Sequence, residues 1–139
     1  MTRQEIVQSF ERKHKHWRYG EIEGLVDAYA ADAVIVSPIF GELRGRADIT
    51  GSFEELLKVF HGWTFDSEEL LIDGNRAAQI FHLQGMHSQP FFGIPPSGRP
   101  FDVHGVMFLK FADGLVVHER RVYDLSSVLI QLGVLKQAG

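Results

Sequence analysis

The chain has 139 residues, of which 45% are hydrophobic and 23% charged, and this length and composition predict one packed globular domain spanning residues 1–139. With 14 Lys and Arg against 18 Asp and Glu, the net charge of −4 argues against a nucleic-acid-binding protein, and the absence of cysteine excludes disulfides, thiolate metal sites and cysteine nucleophiles. No apolar run reaches the ~18–20 residues that span a bilayer, and polar residues directly follow Met1, so we expect a cytoplasmic protein without membrane contact.

The first half of the sequence has mainly helical patterns. Thr2 and Glu5 have the spacing of a capping box, in which two side chains bind the free amides at a helix start. Apolar residues then recur with a helical period, apart from one β-branched run that Pro38 ends. The predicted elements are a helix over residues 3–17, a short helix over 22–29, a strand over 33–36, a loop over 41–46 and a helix over 49–60.

From residue 62 the apolar pattern changes to a period of two, which is typical of strands. Asp113-Gly114 supplies the residues that a tight hairpin turn needs, so the last two strands should be adjacent and antiparallel. The predicted elements are strands over residues 63–72, 76–87, 101–111 and 115–123, a Pro-rich loop over 90–100, and a helix from Leu125 to Leu132.

Helices followed by strands indicate an α+β domain. We expect three N-terminal helices to pack on one face of a curved antiparallel sheet, with a short helix at the C-terminus. This packing leaves a cone-shaped space between the two layers, where apolar side chains would line the site of a small ligand.

Several segments, in order, resemble a known group of proteins. Tyr29–Pro38 followed by Gly45–Ile49 resembles the front half of the nuclear-transport-factor-2-like fold. The back half is similar to the SnoaL-like polyketide cyclases, also called ester cyclases. The segments that carry this second resemblance are Gly85–His87, Phe92–Gly98, Phe111–Gly114, Tyr123–Leu125 and Ile130–Gly133.

The resemblance implies a cone-shaped, cystatin-like α+β barrel with an internal pocket, assembled through its sheet into a homodimer or homotetramer. It also implies ring closure by aldol chemistry without a metal or cofactor. The family's acid/base aspartate matches Asp124, directly after the last strand. An apolar surrounding would raise the pKa of such a carboxyl toward neutrality. Asp124 also stands where a strand meets a helix, so capping that helix through Ser126 or Ser127 is the competing interpretation.

Strand alternation places His118, Arg120 and Val122 on one face, together with Asp124, and the intervening residues on the other. If Asp124 faces the cone, His118 and Arg120 would position or polarise a substrate carbonyl there. Many family members have glutamate and tryptophan at these two positions. The exchange makes the pocket basic. An Arg beside an Asp could bind an anionic substrate group or stabilise an enolate, and an ion pair between the two near the mouth of the sheet is the alternative.

Two further histidines and several aromatic residues are candidate wall contacts. His82 and His104 lie within predicted strands and could meet in the cone, but their spacing matches no metal-binding pattern, so we expect no metal. The run Arg12–Arg18 is typical of a solvated helix face. Phe91 and Phe92 on the Pro-rich loop are candidates for a lid. The predicted substrate-binding residues are His82, His104, Trp17, Trp63, Phe91, Phe92 and Phe108.

The sequence therefore predicts an enzyme that performs cofactor-independent acid/base chemistry, as a cyclase or isomerase, on an apolar carbonyl-bearing substrate. Steroid isomerases are a related group on this fold, but they carry an aspartate where this chain has Ser37. Their oxyanion tyrosine is also missing, since the matching region of the first helix holds Lys13 and His14. The alternative is a non-catalytic module of the same fold that binds a small molecule or dimerises.

Overall fold

The computed structural model describes residues 1–60 and 62–136. The elements found in these residues are α1 (Arg3–Arg18), α2 (Ile22–Val26), β1 (Tyr29–Ser37), β2 (Gly41–Arg44), α3 (Gly45–Val59), β3 (Thr64–Asp73), β4 (Arg76–Met86), β5 (Pro100–Ala112), β6 (Leu115–Tyr123) and α4 (Leu125–Gln131). None of the helices in these residues is long and apolar enough to cross a membrane.

The start of α1 is fixed by the predicted capping box. The amide of Glu5 donates to Thr2 Oγ1 at 3.1 Å, and the amide of Thr2 donates to Glu5 Oε1 at 3.0 Å. One face of the helix then buries Ile6 and Phe10 against the sheet side of the molecule. The helix therefore starts where the sequence predicts, and its inner face continues with Lys13 and Trp17.

The six strands form one curved sheet in the order β2-β1-β6-β5-β4-β3. The predicted α+β class is confirmed, with the helices packed on one face. The β5–β6 hairpin is also as predicted, and its turn residues Asp113 and Gly114 both adopt positive φ, at 50° and 81°. The sheet is not wholly antiparallel, because β1 pairs with β6 in parallel. That pairing joins the two halves of the chain.

Three segments of the first half differ from the predicted elements, and one of them is the start of α3, which lies at Gly45 and not at residue 49. Residues 41–44 form the short strand β2, not a loop, because Gly41 at φ +67° lets the chain turn back and pair with β1. The second helix ends at Val26, so Tyr29 begins β1 and pairs with Val116. Tyr29 is fully buried, and its hydroxyl bonds a carboxylate from β6. This tertiary contact outweighs the local helical pattern.

Close aromatic packing over glycines shapes the concave face of the sheet. A Cβ atom on Gly105 would lie 2.5 Å from Cζ of Phe81, and one on Gly85 would lie 2.5 Å from Cγ of Trp63. Only glycine lets these rings lie against the neighbouring backbone. The rings thereby form part of the floor under the helices.

Candidate active site

A cavity lies between the helices and the concave face of the sheet. About 110 Å³ of it is open to the centre of a water-sized sphere, whereas one water needs roughly 10–15 Å³ on this measure. The cavity therefore admits a small organic molecule. Its lining is mostly aromatic and aliphatic, and the polar lining side chains are Lys13, His14, Gln79, Arg121 and Tyr123.

The alternation of β6 decides which residues reach this cavity. Arg121 and Tyr123 line it, and Glu119 lies fully buried on the same face. His118 and Arg120 instead line a shallow groove on the outer face of the sheet. The predicted alternation is confirmed, but the placement of His118 and Arg120 in the cone is corrected. The inner face carries the odd-numbered residues because Glu119 is anchored there by partners from α1 and β1.

Glu119 is the centre of a buried polar cluster. Its Oε1 accepts hydrogen bonds from Lys13 Nζ at 2.9 Å and from the Tyr29 hydroxyl at 2.6 Å. Its Oε2 accepts from Arg121 Nε at 2.7 Å. The exposed fractions of the Lys13 and Arg121 side chains are only 13% and 10%. One carboxylate thus serves two buried cations, and both cations also line the cavity.

The charges of this cluster shift the pKa values of its members. Burial by itself would raise the pKa of Glu119, but the charges of Lys13 and Arg121 and the Tyr29 hydrogen bond lower it to about 2. Burial lowers the pKa of Lys13, and the charge of Glu119 opposes that effect. Burial, followed by the negative charge of Glu119, raises the pKa of Tyr29 well above its ordinary value. Glu119 is therefore a fixed anion and Tyr29 a fixed hydrogen-bond donor.

Asp124 caps α4 and does not line the cavity. Its Oδ1 accepts from the amide of Ser127 at 3.1 Å, and the residue is exposed. The structure thus places Asp124 as the helix cap that the competing interpretation proposed. Its neighbour Tyr123 points inward, and burial raises the pKa of that hydroxyl although Ile39, Arg121 and Ser37 act in the opposite direction.

The other predicted residues divide between the two faces. His82 and His104 do meet, but on the outer face of the sheet, where their rings stack with centroids 3.9 Å apart. Phe108 is also outside, 50% exposed, in the groove with His118 and Arg120. These three residues are outside the cavity because β4 and β5 bring their even-numbered positions to the outer face, as β6 does.

The remaining predicted aromatic residues differ in their distance from the cavity. Trp17 from α1 and Phe91 from the Pro-rich loop line the cavity, and Phe91 is buried. Trp63 packs behind it, between Phe60 and Phe101 at ring distances of 4.9 and 4.8 Å. Phe92 is partly exposed and packs edge-on against Phe40, at 5.5 Å. The loop thus contributes one wall residue, and its role as a lid stays a prediction.

Comparison with known proteins decides the family. The sequence profile of the SnoaL-like polyketide cyclases matches residues 9–132. The chain belongs to the SnoaL-like polyketide cyclase family. A search of curated proteins found no significant match.

Three solved structures are similar to this chain over most of its length. IdmH of Streptomyces antibioticus, a proposed polyketide cyclase, is 27% identical, with a TM-score of 0.78 over 92% of this chain and 98% of IdmH. AclR of Streptomyces galilaeus, a proposed hydroxylase, is 24% identical, with a TM-score of 0.85 over 99% of this chain and 87% of AclR. A proposed SnoaL-like polyketide cyclase of Jannaschia sp. CCS1 is 21% identical, with a TM-score of 0.85 over 95% and 94% of the two chains.

Within the SnoaL-like fold, the sequence interpretation missed the polar residues that reach the cavity. The charge pattern predicts a solvated basic face that includes Lys13 and His14, yet both line the cavity with Phe10 and Trp17. The signal was present in the sequence, since positions 10, 13, 14 and 17 share one helix face. A helix face that mixes two aromatic residues with a lysine and a histidine is only partly solvated.

Proposed function

We propose that the protein is an enzyme that performs cofactor-independent acid/base chemistry on an apolar, carbonyl-bearing small molecule, as a cyclase or isomerase. The observation that carries the proposal is the pairing of an apolar cavity with two buried cations that share one carboxylate. While Lys13 holds its proton, the charges of Lys13, Arg121 and Glu119 leave one excess positive charge beside the cavity. An anion formed inside the cavity would balance it.

An enolate is the anion that this environment favours. Abstraction of a proton next to a carbonyl moves the electron pair onto the carbonyl oxygen, and a nearby cation stabilises the resulting charge. Arg121 donates one of its five N–H groups to Glu119 through Nε, and Lys13 donates one of its three. The remaining donors leave both residues able to bind a substrate oxygen. Glu119 would be the positioning residue that holds the two cations in place.

His14 is the proposed acid/base. Among the described residues that line the cavity there is no carboxyl group, and imidazole is the side chain that exchanges protons near neutral pH. The ring of His14 packs edge-on against Phe65, with centroids 5.7 Å apart, at the wall of the cavity. His14 would accept the proton from the α-carbon as the C–H bond breaks. In a ring closure, the enolate carbon attacks a second carbonyl and His14 would return the proton to the resulting alkoxide oxygen. In an isomerisation, His14 would return it to a different carbon.

Hydrogen–deuterium exchange of a simple ketone tests the first step without knowledge of the natural substrate. We expect the protein to accelerate exchange at the α-carbon of 2-tetralone or 1-indanone in D₂O, followed by proton NMR. His14→Gln should lower the protein-catalysed rate by roughly 100-fold or more, and Lys13→Met should lower it as well. His118→Gln is the matched control, because His118 lies on the outer face. Equal loss in His118→Gln and His14→Gln would contradict the assignment.

A non-catalytic ligand-binding module is the second candidate. It is favoured by one observation, the absence of a carboxyl group among the described lining residues. Binding of 2-naphthol distinguishes the two functions. The absorbance of this compound shows whether the bound form is the neutral naphthol or the naphtholate anion, which resembles an enolate. Binding of naphtholate without any acceleration of ketone exchange would support the module, whereas both together support the enzyme.

We also propose that a second copy of the chain contacts the outer face of the sheet around Phe108 and Val122, giving a homodimer or a homotetramer. Phe108 and Val122 are about half exposed there, at 50% and 49%, next to the groove on that face. Exposed apolar side chains grouped on one surface are typical of an association site. Location in the cytoplasm remains a prediction from the sequence.

A further inference from the structure

A second cluster of chemically active side chains lies outside the cavity, on the outer face of the sheet. His82 on β4 and His104 on β5 are direct partners in the antiparallel register. Their rings are almost parallel, with an angle of 6° between planes and 3.9 Å between centroids. Two imidazoles are thus held side by side by the backbone pairing of two central strands.

The third member of the cluster is placed by an irregularity in β3. The β3–β4 register shifts between Ser67 and Glu69, which leaves Glu68 as an extra residue in a β-bulge. The bulge brings the Glu68 carboxylate toward the two rings, with Oε1 3.7 Å from His104 Nδ1. One ligand atom from each of Glu68, His82 and His104 then lies within 4.8 Å of the others.

An unsatisfied polar atom is also present in this cluster. His82 Nε2 is buried and has no hydrogen-bond partner among the described residues. Leaving a buried polar nitrogen without a partner is unfavourable, so such atoms call for a ligand or an unseen partner. A metal ion that binds this nitrogen would supply the missing interaction.

We propose that His82, His104 and Glu68 form a binding site for a first-row divalent metal ion, with Zn²⁺ as the expected type. Two imidazoles and one carboxylate are a known donor set for zinc, with water in the fourth position. Metal–ligand bonds of about 2.0–2.2 Å in tetrahedral geometry place ligand atoms roughly 3.3 Å apart. Closing the largest of these separations takes about 1.5 Å, and the parallel rings must also turn so that their in-plane nitrogen lone pairs converge on the ion. The exposed side chains of Glu68 and His104 leave room for this rotation.

A metal ion at this site would stabilise the sheet and would not contact the cavity. Its three ligands come from three adjacent strands, so a bound ion would join the edge strand β3 to β4 and β5. Metal binding adds to folding stability when the ligands are assembled only in the folded state. The inference is independent of the proposed enzyme activity, because its ligands are not among the residues that line the cavity.

Titration of the chelator-treated full-length chain with zinc chloride tests the site, by calorimetry for stoichiometry and by melting temperature for linkage to folding. We expect one Zn²⁺ per chain and a higher melting temperature with zinc. His104→Ala should weaken binding roughly tenfold or more, and Glu68→Gln should weaken it too. Both changed residues are well exposed, at 63% and 46%, so both variants should fold.

Two controls keep the interpretation specific. His118→Ala removes another histidine on the outer face, and His16→Gln removes one from α1. Both should bind zinc as the unchanged chain does. No uptake at roughly 100 µM zinc, or loss of binding in either control with retention in His104→Ala, would overturn the proposal. Binding of Co²⁺ with the visible spectrum of a tetrahedral nitrogen–oxygen site would further support it.

Discussion

Replacing Glu119 with Gln should strongly destabilise the fold. The change keeps the side-chain shape, so its effect reports the loss of the negative charge alone. Lys13 and Arg121 would then stay buried without a counter-charge. Breaking a buried ion pair from one side costs about 3–5 kcal/mol. At roughly 3–4 °C per kcal/mol for a chain of this size, the melting temperature should fall by about 10 °C or more.

The pKa of Glu119 gives an independent figure. It is lowered from the ordinary value of 4.5 to about 2, and each pKa unit corresponds to about 1.4 kcal/mol, so the charged carboxylate contributes about 3 kcal/mol. Because the pKa is lower in the folded state, this contribution is complete above about pH 4.5 and disappears as the pH falls toward 2.

Urea unfolding, followed by tryptophan fluorescence at pH 7 and pH 3, measures both effects. The difference in free energy of unfolding between the unchanged chain and Glu119→Gln should be about 3 kcal/mol at pH 7 and about half of that at pH 3. Glu42→Gln is the matched control, since its ion pair with Arg44 is exposed and should contribute about 0–1 kcal/mol. A Glu119→Gln variant as stable as this control, or a difference that does not change with pH, would refute the argument.

Two further substitutions separate the roles of single residues. Asp124→Ala should lower the free energy of unfolding by about 1 kcal/mol through loss of the α4 cap. Asp124→Asn should change the free energy of unfolding little and leave the ketone-exchange rate intact. Abolished exchange in Asp124→Asn would instead identify Asp124 as the acid/base. Phe108→Glu should dissociate the proposed dimer or tetramer into monomers in light scattering, while Tyr19→Glu, at the exposed C-cap of α1, should not. An unchanged mass for Phe108→Glu would exclude the outer face as the contact surface.

Local chemistry explains why the elements could be predicted so closely. The capping box at Thr2, the positive-φ turn at Asp113-Gly114 and the change of apolar period near residue 62 are all set by neighbouring residues. Each end of the strands β3 to β6 accordingly lies within one residue of its predicted position. The family resemblance implied the same internal cavity and added an expected assembly through the sheet.

The identity of the site residues depends on contacts between distant parts of the chain. Alternation in β6 allows two faces equally, and the choice is made by Lys13 and Tyr29, which are 106 and 90 residues away from Glu119. His82 and His104 meet because of the register between β4 and β5. An irregular loop separates these two strands in the sequence, so the spacing of the two histidines could not reveal their contact. For the same reason, the bulge that adds Glu68 to the pair has no signal of its own.

The alternation of β6 also has a consequence for engineering. Residues 119, 121 and 123 serve the interior, while 118, 120 and 122 belong to the opposite surface of the same strand. Ligand preference and surface behaviour can therefore be redesigned separately, although the two sets are interleaved in sequence. A one-residue insertion in this strand would have the opposite result, because it would exchange every inward side chain for an outward one and remove the carboxylate from between its two cations.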